Sequence, residues 1–275
     1  MNIKLVYISP NGTTRRISEI IKDVFEKNGH FVQMLDIGSK EYREDFNKIL
    51  IKLKESDIIG FGSPAYHMDM LELMKKLIKA VLQGNNPDNF KVFFYLSYGG
   101  ITSGKAFINA VNMFNKKHVP IIGGVKIMAP HFHHNDKLPE ESIKELIGSF
   151  YSKLQNKGFS PIAGDRLSSV FSPRKKRVNL LYPFTHFISK RRELKICLTT
   201  EMCKCCGKCE RECPAGAIRI NCYADIDFSK CIHCYHCTVA CKFNAIKAPV
   251  EKLDDMIRVN KKIIGMEKPQ NHIYF

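Results

Sequence analysis

Eight cysteines carry the strongest chemical signal in the 275-residue chain. Cys203-x₂-Cys206-x₂-Cys209-x₃-Cys213-Pro214 is followed by Cys231-x₂-Cys234-x₂-Cys237-x₃-Cys241. Thiolates are soft ligands suited to iron, and the tight spacing lets one loop wrap three corners of an iron–sulfur cube. The fourth cysteine of each run lies too far along to complete its own loop and ligates the other cluster. The expected sets are therefore Cys203, Cys206, Cys209 and Cys241 for cluster one, and Cys213, Cys231, Cys234 and Cys237 for cluster two. Zinc competes, since it also accepts four cysteines, but its ribbons pair C-x₂-C knuckles and two complete runs over-supply them. Two [4Fe–4S] clusters are the expectation. Ala217-Ile218 and Ala245-Ile246 repeat after the fourth cysteines and would shield the clusters from water. Two positions break the repeat: Lys242 stands where the first run has Pro214, and Tyr235 where it has Gly207. Either change tunes exposure or hydrogen bonding at a cluster, or the loop simply tolerates it. Cys197, Cys205 and Cys222 fall outside the pattern. Cys205 adjoins a ligand and could compete for the site, though the register favours Cys206; Cys222 reads as a buried inert thiol.

Three loops in the cysteine-free first 196 residues have a different chemistry. Ser9-Pro10-Asn11-Gly12-Thr13-Thr14-Arg15 is crowded with hydroxyls, bends at Pro and Gly, and opens a helix. A phosphate could take hydrogen bonds from those hydroxyls and from the free N–H groups of the helix start. The same residues also suit an ordinary cap, by Asn11 or Thr13. The loop is neither G-x-G-x-x-G nor a Walker A sequence. Gly62-Ser63-Pro64-Ala65-Tyr66-His67-Met68 and Ser97-Tyr98-Gly99-Gly100-Ile101-Thr102-Ser103-Gly104 each set an aromatic beside small residues. That combination fits a flat, hydrogen-bonding ring system.

The elements that must position these loops alternate between strand and helix. Strands are predicted at 3–9, 31–36, 57–61, 90–97 and 119–128, with the third ended by Gly62-Ser63-Pro64. Helices are predicted at 13–27, 42–54, 68–82, 105–116 and 140–155, each with apolar residues at helical spacing. Strands rich in apolar and β-branched residues are those buried on both faces. Five such pairs call for an α/β fold, a five-stranded parallel doubly wound sheet covered on both faces. Ligands in such sheets bind beyond the carboxyl ends of the strands, where all three loops fall.

Residues 1–155 resemble the flavodoxin family. The resemblance implies FMN, with its phosphate held by Ser9, Asn11, Gly12, Thr13 and Thr14 and its ring flanked by Pro64, Tyr66, His67, Ser97, Tyr98 and Gly99. Asn11 stands where threonine is usual, and Pro10 where a small flexible residue is common. Residues 198–250 resemble two-cluster ferredoxins, a small α+β domain. The whole arrangement is similar to the fused flavodoxin–ferredoxin proteins of anaerobic bacteria and archaea. The implied organisation is 1–157 flavodoxin-like, 158–196 basic linker, 197–250 ferredoxin domain and 251–275 C-terminal tail.

A flavin takes one or two electrons and each cubane one, so the two halves together suggest an electron-transfer protein. The rivals are a flavin-dependent reductase of a small oxidant fed by the clusters, and a redox or docking module that binds no FMN. No Ser/His/Asp triad or paired acid–base set is identifiable, so no catalytic residue is expected and the chemistry belongs to the cofactors. His131, His133 and His134 follow the fifth strand and read as a polar loop near the flavin rather than a metal site.

Charge and composition set the surroundings. At 44% hydrophobic and 25% charged residues, the chain is neither disordered nor collagen-like. No apolar run is long enough to span a membrane, and the N-terminus lacks a secretory pattern. All 11 cysteines lie at or after Cys197, an odd number that suits a reducing cytoplasm better than a secreted disulfide scaffold. Net charge is +16, and residues 172–195 hold 8 basic residues against one acidic. That segment is expected to steer an acidic redox partner. Peripheral contact with an anionic membrane is a second use, although Pro183 breaks any long amphipathic helix there. Nucleic acid is not expected, because no binding fold accompanies the charge.

Overall fold

The computed structural model describes residues 1–84, 90–131, 137–173, 196–264 and 271–275. His133, His134 and most of the basic segment, 174–195, lie outside the described residues. The first part runs β1 (Asn2–Tyr7), α1 (Thr13–Lys27), β2 (Phe31–Asp36), α2 (Lys40–Glu44), α3 (Asn47–Leu53), β3 (Ile58–Tyr66), β4 (Asp69–Met70), α4 (Glu72–Gly84), β5 (Lys91–Tyr98), α5 (Ala106–Asn115), β6 (Ile121–Met128), α6 (Glu140–Asn156) and α7 (Gly164–Phe171). The cysteine-rich part follows with β7 (Cys197–Leu198), α8 (Lys208–Arg211), β8 (Ile218–Ile220), β9 (Ala224–Ile226), α9 (His236–Ala240), β10 (Ile246–Lys247), α10 (Val250–Ile264) and β11 (His272–Tyr274).

The main sheet has the order β11-β6-β5-β3-β1-β2, with β4 paired to β3. Its five long strands are parallel. Without β4 and β11 they follow the 2-1-3-4-5 order of flavodoxin-like doubly wound sheets. Each face is covered because the central strands β1, β3, β5 and β6 are buried on both sides. Ile17, Ile20, Ile21 and Phe25 of α1 and Ile143, Ile147 and Phe150 of α6 fill one face. Helices α3, α4, α5 and α7 fill the other. The α/β fold expected from the alternating pattern is the fold observed.

The helix expected from Met68 begins only at Glu72, after β4, and four further details differ from the predicted elements. The helix expected over 42–54 breaks at Asp45, whose backbone is extended (φ −145°) and whose Oδ1 accepts the N–H of Asn47 at 2.9 Å. An aspartate that offers its neighbours this bond competes with helix continuation. Strand β3 does not stop at Gly62-Ser63-Pro64 but runs on to Tyr66. The neighbouring β1 pairs only as far as Gly62, so proline's missing N–H falls where no β1 partner remains. Helix α7 lies within the expected linker and sends Leu167 and Phe171 into the first core. Finally, the expected tail forms α10 and returns to the sheet as β11, antiparallel to β6. The sheet thus gains an antiparallel edge strand, and Tyr274 packs 4.5 Å from the Phe107 ring.

The cysteine-rich part has its own small core of Ile196, Ala217, Ile218, Ala224, Tyr235 and Ile246 with several of the cysteines. Its two short hairpin-like pairs, β8–β9 and β7–β10, are antiparallel. No helix among the described residues is long and apolar enough to cross a membrane.

Candidate functional site

The carboxyl ends of β1, β3 and β5 carry the three predicted loops to one cavity of about 270 Å³. Ser9, Asn11, Thr13, Thr14, Pro64, Tyr66, His67, Ser97, Tyr98 and Gly99 all line it. Gly12 does not; it holds the left-handed turn (φ 80°) that starts α1. Gly12, at the N-cap, has no side chain to cap the helix. Ser9 Oγ instead accepts the Arg15 N–H at 2.9 Å, and Thr14 Oγ1 lies 3.2 Å from Ser97 Oγ, tying the first loop to the third. Helix-start N–H groups beside hydroxyls form an anion cradle. The second loop turns through left-handed His67 (φ 50°) and Met68 (φ 65°). Asp69 anchors it, accepting from Asn109 Nδ2 at 3.0 Å and pairing with Lys75 at 3.3 Å.

Asn11 departs from the role expected of it. Its Nδ2 donates to Tyr66 Oη at 3.2 Å and to the Cys234 carbonyl at 3.0 Å, rather than toward a phosphate. Its Oδ1 is buried with no protein partner. That oxygen is an acceptor, so it suits a ligand hydroxyl or N–H and not an anionic oxygen. The amide therefore stitches the first and second loops to the second cysteine run. Around it the Tyr66 hydroxyl is held well above its ordinary pKa, by burial first and by the neighbouring Cys234. Tyr66 stays a neutral phenol at any ordinary pH.

The cavity's opposite wall comes from the other end of the chain. His233, Cys234 and Tyr235 line it, as do Leu253, Met256 and Ile257 of α10. Those three α10 residues follow the i, i+3, i+4 spacing of a helix face, a signal present in the sequence. His131 also lines the cavity.

The eight cysteines ring two further cavities in the crossed sets that the spacing predicts. Cys203, Cys206, Cys209 and Cys241 line one, together with Cys205. Cys213, Cys231, Cys234 and Cys237 line the other. Left-handed residues bend both runs at matching places: Cys205 (φ 51°) and Gly207 (φ 70°) in the first, His233 (φ 49°) and Tyr235 (φ 57°) in the second. Backbone amides also point at sulfur. Ala217 N–H donates to Cys213 Sγ at 3.2 Å, and His233 N–H to Cys231 Sγ at 3.4 Å. All three cysteines outside the pattern, Cys197, Cys205 and Cys222, are exposed, so Cys222 is not the buried thiol expected. It sits in the turn between β8 and β9, and its carbonyl accepts from Cys205 Sγ.

Protein alone is a poor home for these thiolates. Burial pushes the Cys234 and Cys237 thiols up to about 12 and Cys209 up to about 11, and neighbouring cysteines add to each. Cys203 is held lower, chiefly by the Cys205 N–H. Bound iron would reverse this balance, because a coordinated thiol is deprotonated outright. The donor set fits an iron–sulfur cluster.

Comparison with known proteins agrees with this half of the site. The family described as Fer4, 4Fe-4S binding domain, matches residues 224–247. One relative, a component of an ion-translocating oxidoreductase complex from Methanosarcina acetivorans, is 50% identical over 46 residues, covering 16% of this chain. The matched stretch spans only 17% of that relative's length. Among solved structures, a flavodoxin from the domain Archaea aligns at 22% identity and TM-score 0.43, over 56% of this chain and 99% of its own. Flavodoxin 1 from Bacillus cereus aligns at 14% identity and TM-score 0.45, over 57% of this chain and 98% of its own. The chain thus joins a sheet of flavodoxin-like strand order to a 4Fe–4S binding domain that holds at least one cluster.

Proposed function

We propose that this chain is an electron-transfer protein that holds FMN in the strand-end cavity and two [4Fe–4S] clusters in the two cysteine rings. The observation that carries the reading is the shared wall. Three loops suited to a phosphate and a flat ring face a cavity that Cys234, a ligand of the second ring, also lines. FMN exchanges electrons singly or in pairs and a cubane singly, so the assembly links two-electron to one-electron chemistry. Tyr98 and Tyr66 offer apolar faces to the ring, and Ser9, Thr13 and Thr14 stand at the start of α1 for the phosphate. Asn11 Oδ1 is an acceptor for a ribityl hydroxyl or ring N–H.

Two features favour clusters over zinc and a carrier over a reductase. Among the described residues no three His, Cys, Asp or Glu side chains gather as ligands of a single ion. Each set of four cysteines rings a cavity instead, the layout of a multi-iron cluster. The wall where a small oxidant would sit over the ring is taken by His233, Tyr235 and α10. The test is iron, sulfide and flavin analysis of anaerobically purified protein. About eight iron and eight sulfide per chain are expected, with one FMN released on denaturation. Stoichiometric zinc without sulfide sinks the cluster reading, and no FMN after reconstitution sinks the flavin reading. Saturable, specific turnover of a small oxidant in stopped flow would put the reductase ahead.

A further inference from the structure

Resting on that reading, we propose that the two clusters work in a fixed order. The cluster held by Cys213, Cys231, Cys234 and Cys237 is the inner relay. The cluster held by Cys203, Cys206, Cys209 and Cys241 is the port, where a one-electron redox protein with an acidic surface docks.

The order follows from which walls are shared. Cys234 and Tyr235 line both the strand-end cavity and the second cysteine ring. None of the described residues lining the first ring lines the strand-end cavity. The rings also differ in exposure: in the second ring Cys213, Cys234 and Cys237 are at most 8% exposed, whereas in the first only Cys209 is, and Cys206 is open to solvent. The two rings adjoin, since α8, which carries Cys209, packs on α9, which carries Cys237, and both cysteines belong to one small core. An electron that leaves the inner cluster reduces the port cluster by one electron. Its departure reoxidises the port cluster as the docked protein's own centre is reduced, and the reverse flow uses the same path.

The face around the port indicates the partner's charge. Lys204 and Lys208 line the first ring, and no acidic residue does. Lys208 is 3.8 Å from Glu212, which also pairs with His236 at 2.9 Å. Lys204 and Lys242, next to Cys241, are both exposed. Phe243 lines the ring and is 41% exposed, and Met202 is 39% exposed. An apolar centre rimmed by cations complements an acidic protein surface, and such charge steers encounter.

The test is power-saturation EPR on partly reduced holoprotein, with the anionic dysprosium–EDTA chelate as the probe. One of the two cluster signals should be relaxed strongly, and it should be the one that Cys206→Ser alters and Cys231→Ser leaves intact. Should Cys206→Ser lose its cluster altogether, the surviving signal should be the weakly relaxed one. Lys204→Gln with Lys242→Gln should weaken the strong relaxation at least about twofold while both signals persist. Equal relaxation of both signals, stronger relaxation of the one that Cys231→Ser alters, or no effect of the lysine pair overturns the proposal. A protein without a pair of cubane signals overturns the reading beneath it, and the order falls with it.

Discussion

Tyr235 sets backbone strain against packing at the wall between the strand-end cavity and the second cysteine ring. It sits in left-handed backbone (φ 57°) at the place where the first run has Gly207 (φ 70°). A non-glycine residue there costs about 1–2 kcal/mol, which glycine would relieve. Glycine returns roughly 0.5–1 kcal/mol of that through the greater freedom of the unfolded chain. Against this stands the side chain, 6% exposed and part of both cavity walls. Truncating a buried aromatic costs about 3–5 kcal/mol. Packing wins, and Tyr235→Gly should lose about 2–4 kcal/mol net. Tyr235→Ala keeps the strain and loses the ring, so it should fall lower still, by about 1 kcal/mol. Cluster proteins do not unfold in two states, so the readout is a ranking. Anaerobic urea titration followed at the iron–sulfur absorption band should give midpoints in the order native, Gly variant, Ala variant. A Tyr235→Gly protein as resistant as the native one would refute the argument, because strain rather than packing would then govern the wall.

Other perturbations test other parts of the same frame. A Cβ added at Gly62 would lie 2.2 Å from ring carbons of Tyr95, which is fully buried and held by Ser18 Oγ at 2.8 Å. Gly62→Ala should therefore cost about 1–3 kcal/mol and lower the thermal midpoint by several degrees in circular dichroism; an unchanged midpoint would mean the ring can move. Burial raises the Asp36 carboxyl above its ordinary pKa, with the Gly38 N–H only partly opposing it. A raised folded pKa means stability present in acid and lost as pH rises through that value, so ionised Asp36 weakens the fold at neutral pH. Asp36→Asn keeps the acceptor for Gly38 and should raise the urea midpoint at about pH 7, with the gain vanishing near pH 4; a gain independent of pH would refute the assignment. Asn11→Ala removes the buried acceptor Oδ1, worth one hydrogen bond of about 0.5–1.5 kcal/mol to the ligand, along with the two bonds that hold the loop, so flavin affinity measured by fluorescence quenching should fall at least about two- to tenfold. Asn11→Asp should bind no better than the alanine variant, since a carboxylate cannot donate to the Cys234 carbonyl; native affinity would remove Asn11 from the site.

Legibility in the sequence followed how local each signal was. Strand β2 and helix α1 lie at their predicted bounds because periodicity and the closing Asn28-Gly29 are local facts. The crossed cysteine sets could be read because two-residue spacings leave a loop few ways to close. Strand β11 could not be read: three residues, His272–Tyr274, carry no pattern, and only Tyr274 packing on Phe107 and Phe171 gives them a place. Helix α10 had a legible apolar stripe, but no sequence rule says that the stripe closes a cavity begun about 240 residues earlier. The three loops could be named from composition, while the direction of Asn11 depends on the Cys234 carbonyl, 223 residues away.

That long-range bond also explains why two nearly repeated runs differ where they do. The first run faces outward, keeps the glycine its left-handed bend favours, and leaves Cys206 exposed. The second run faces the strand-end cavity, and two departures from the expected patterns, Tyr235 and Asn11, meet there. Tyr235 replaces the glycine and spends backbone strain on a wall between two cavities, while Asn11, in place of threonine, satisfies the carbonyl of the residue before it. Neither substitution makes sense within its own half. A tyrosine in left-handed backbone is unfavourable in a free loop, and an asparagine that turns its amide away from the anion cradle weakens that cradle. Together they close a junction in which one half supplies the hydrogen bond and the other the ring. The tyrosine at the glycine position therefore marks the ring that faces the sheet, and the glycine kept in the first run marks the one that faces the solvent.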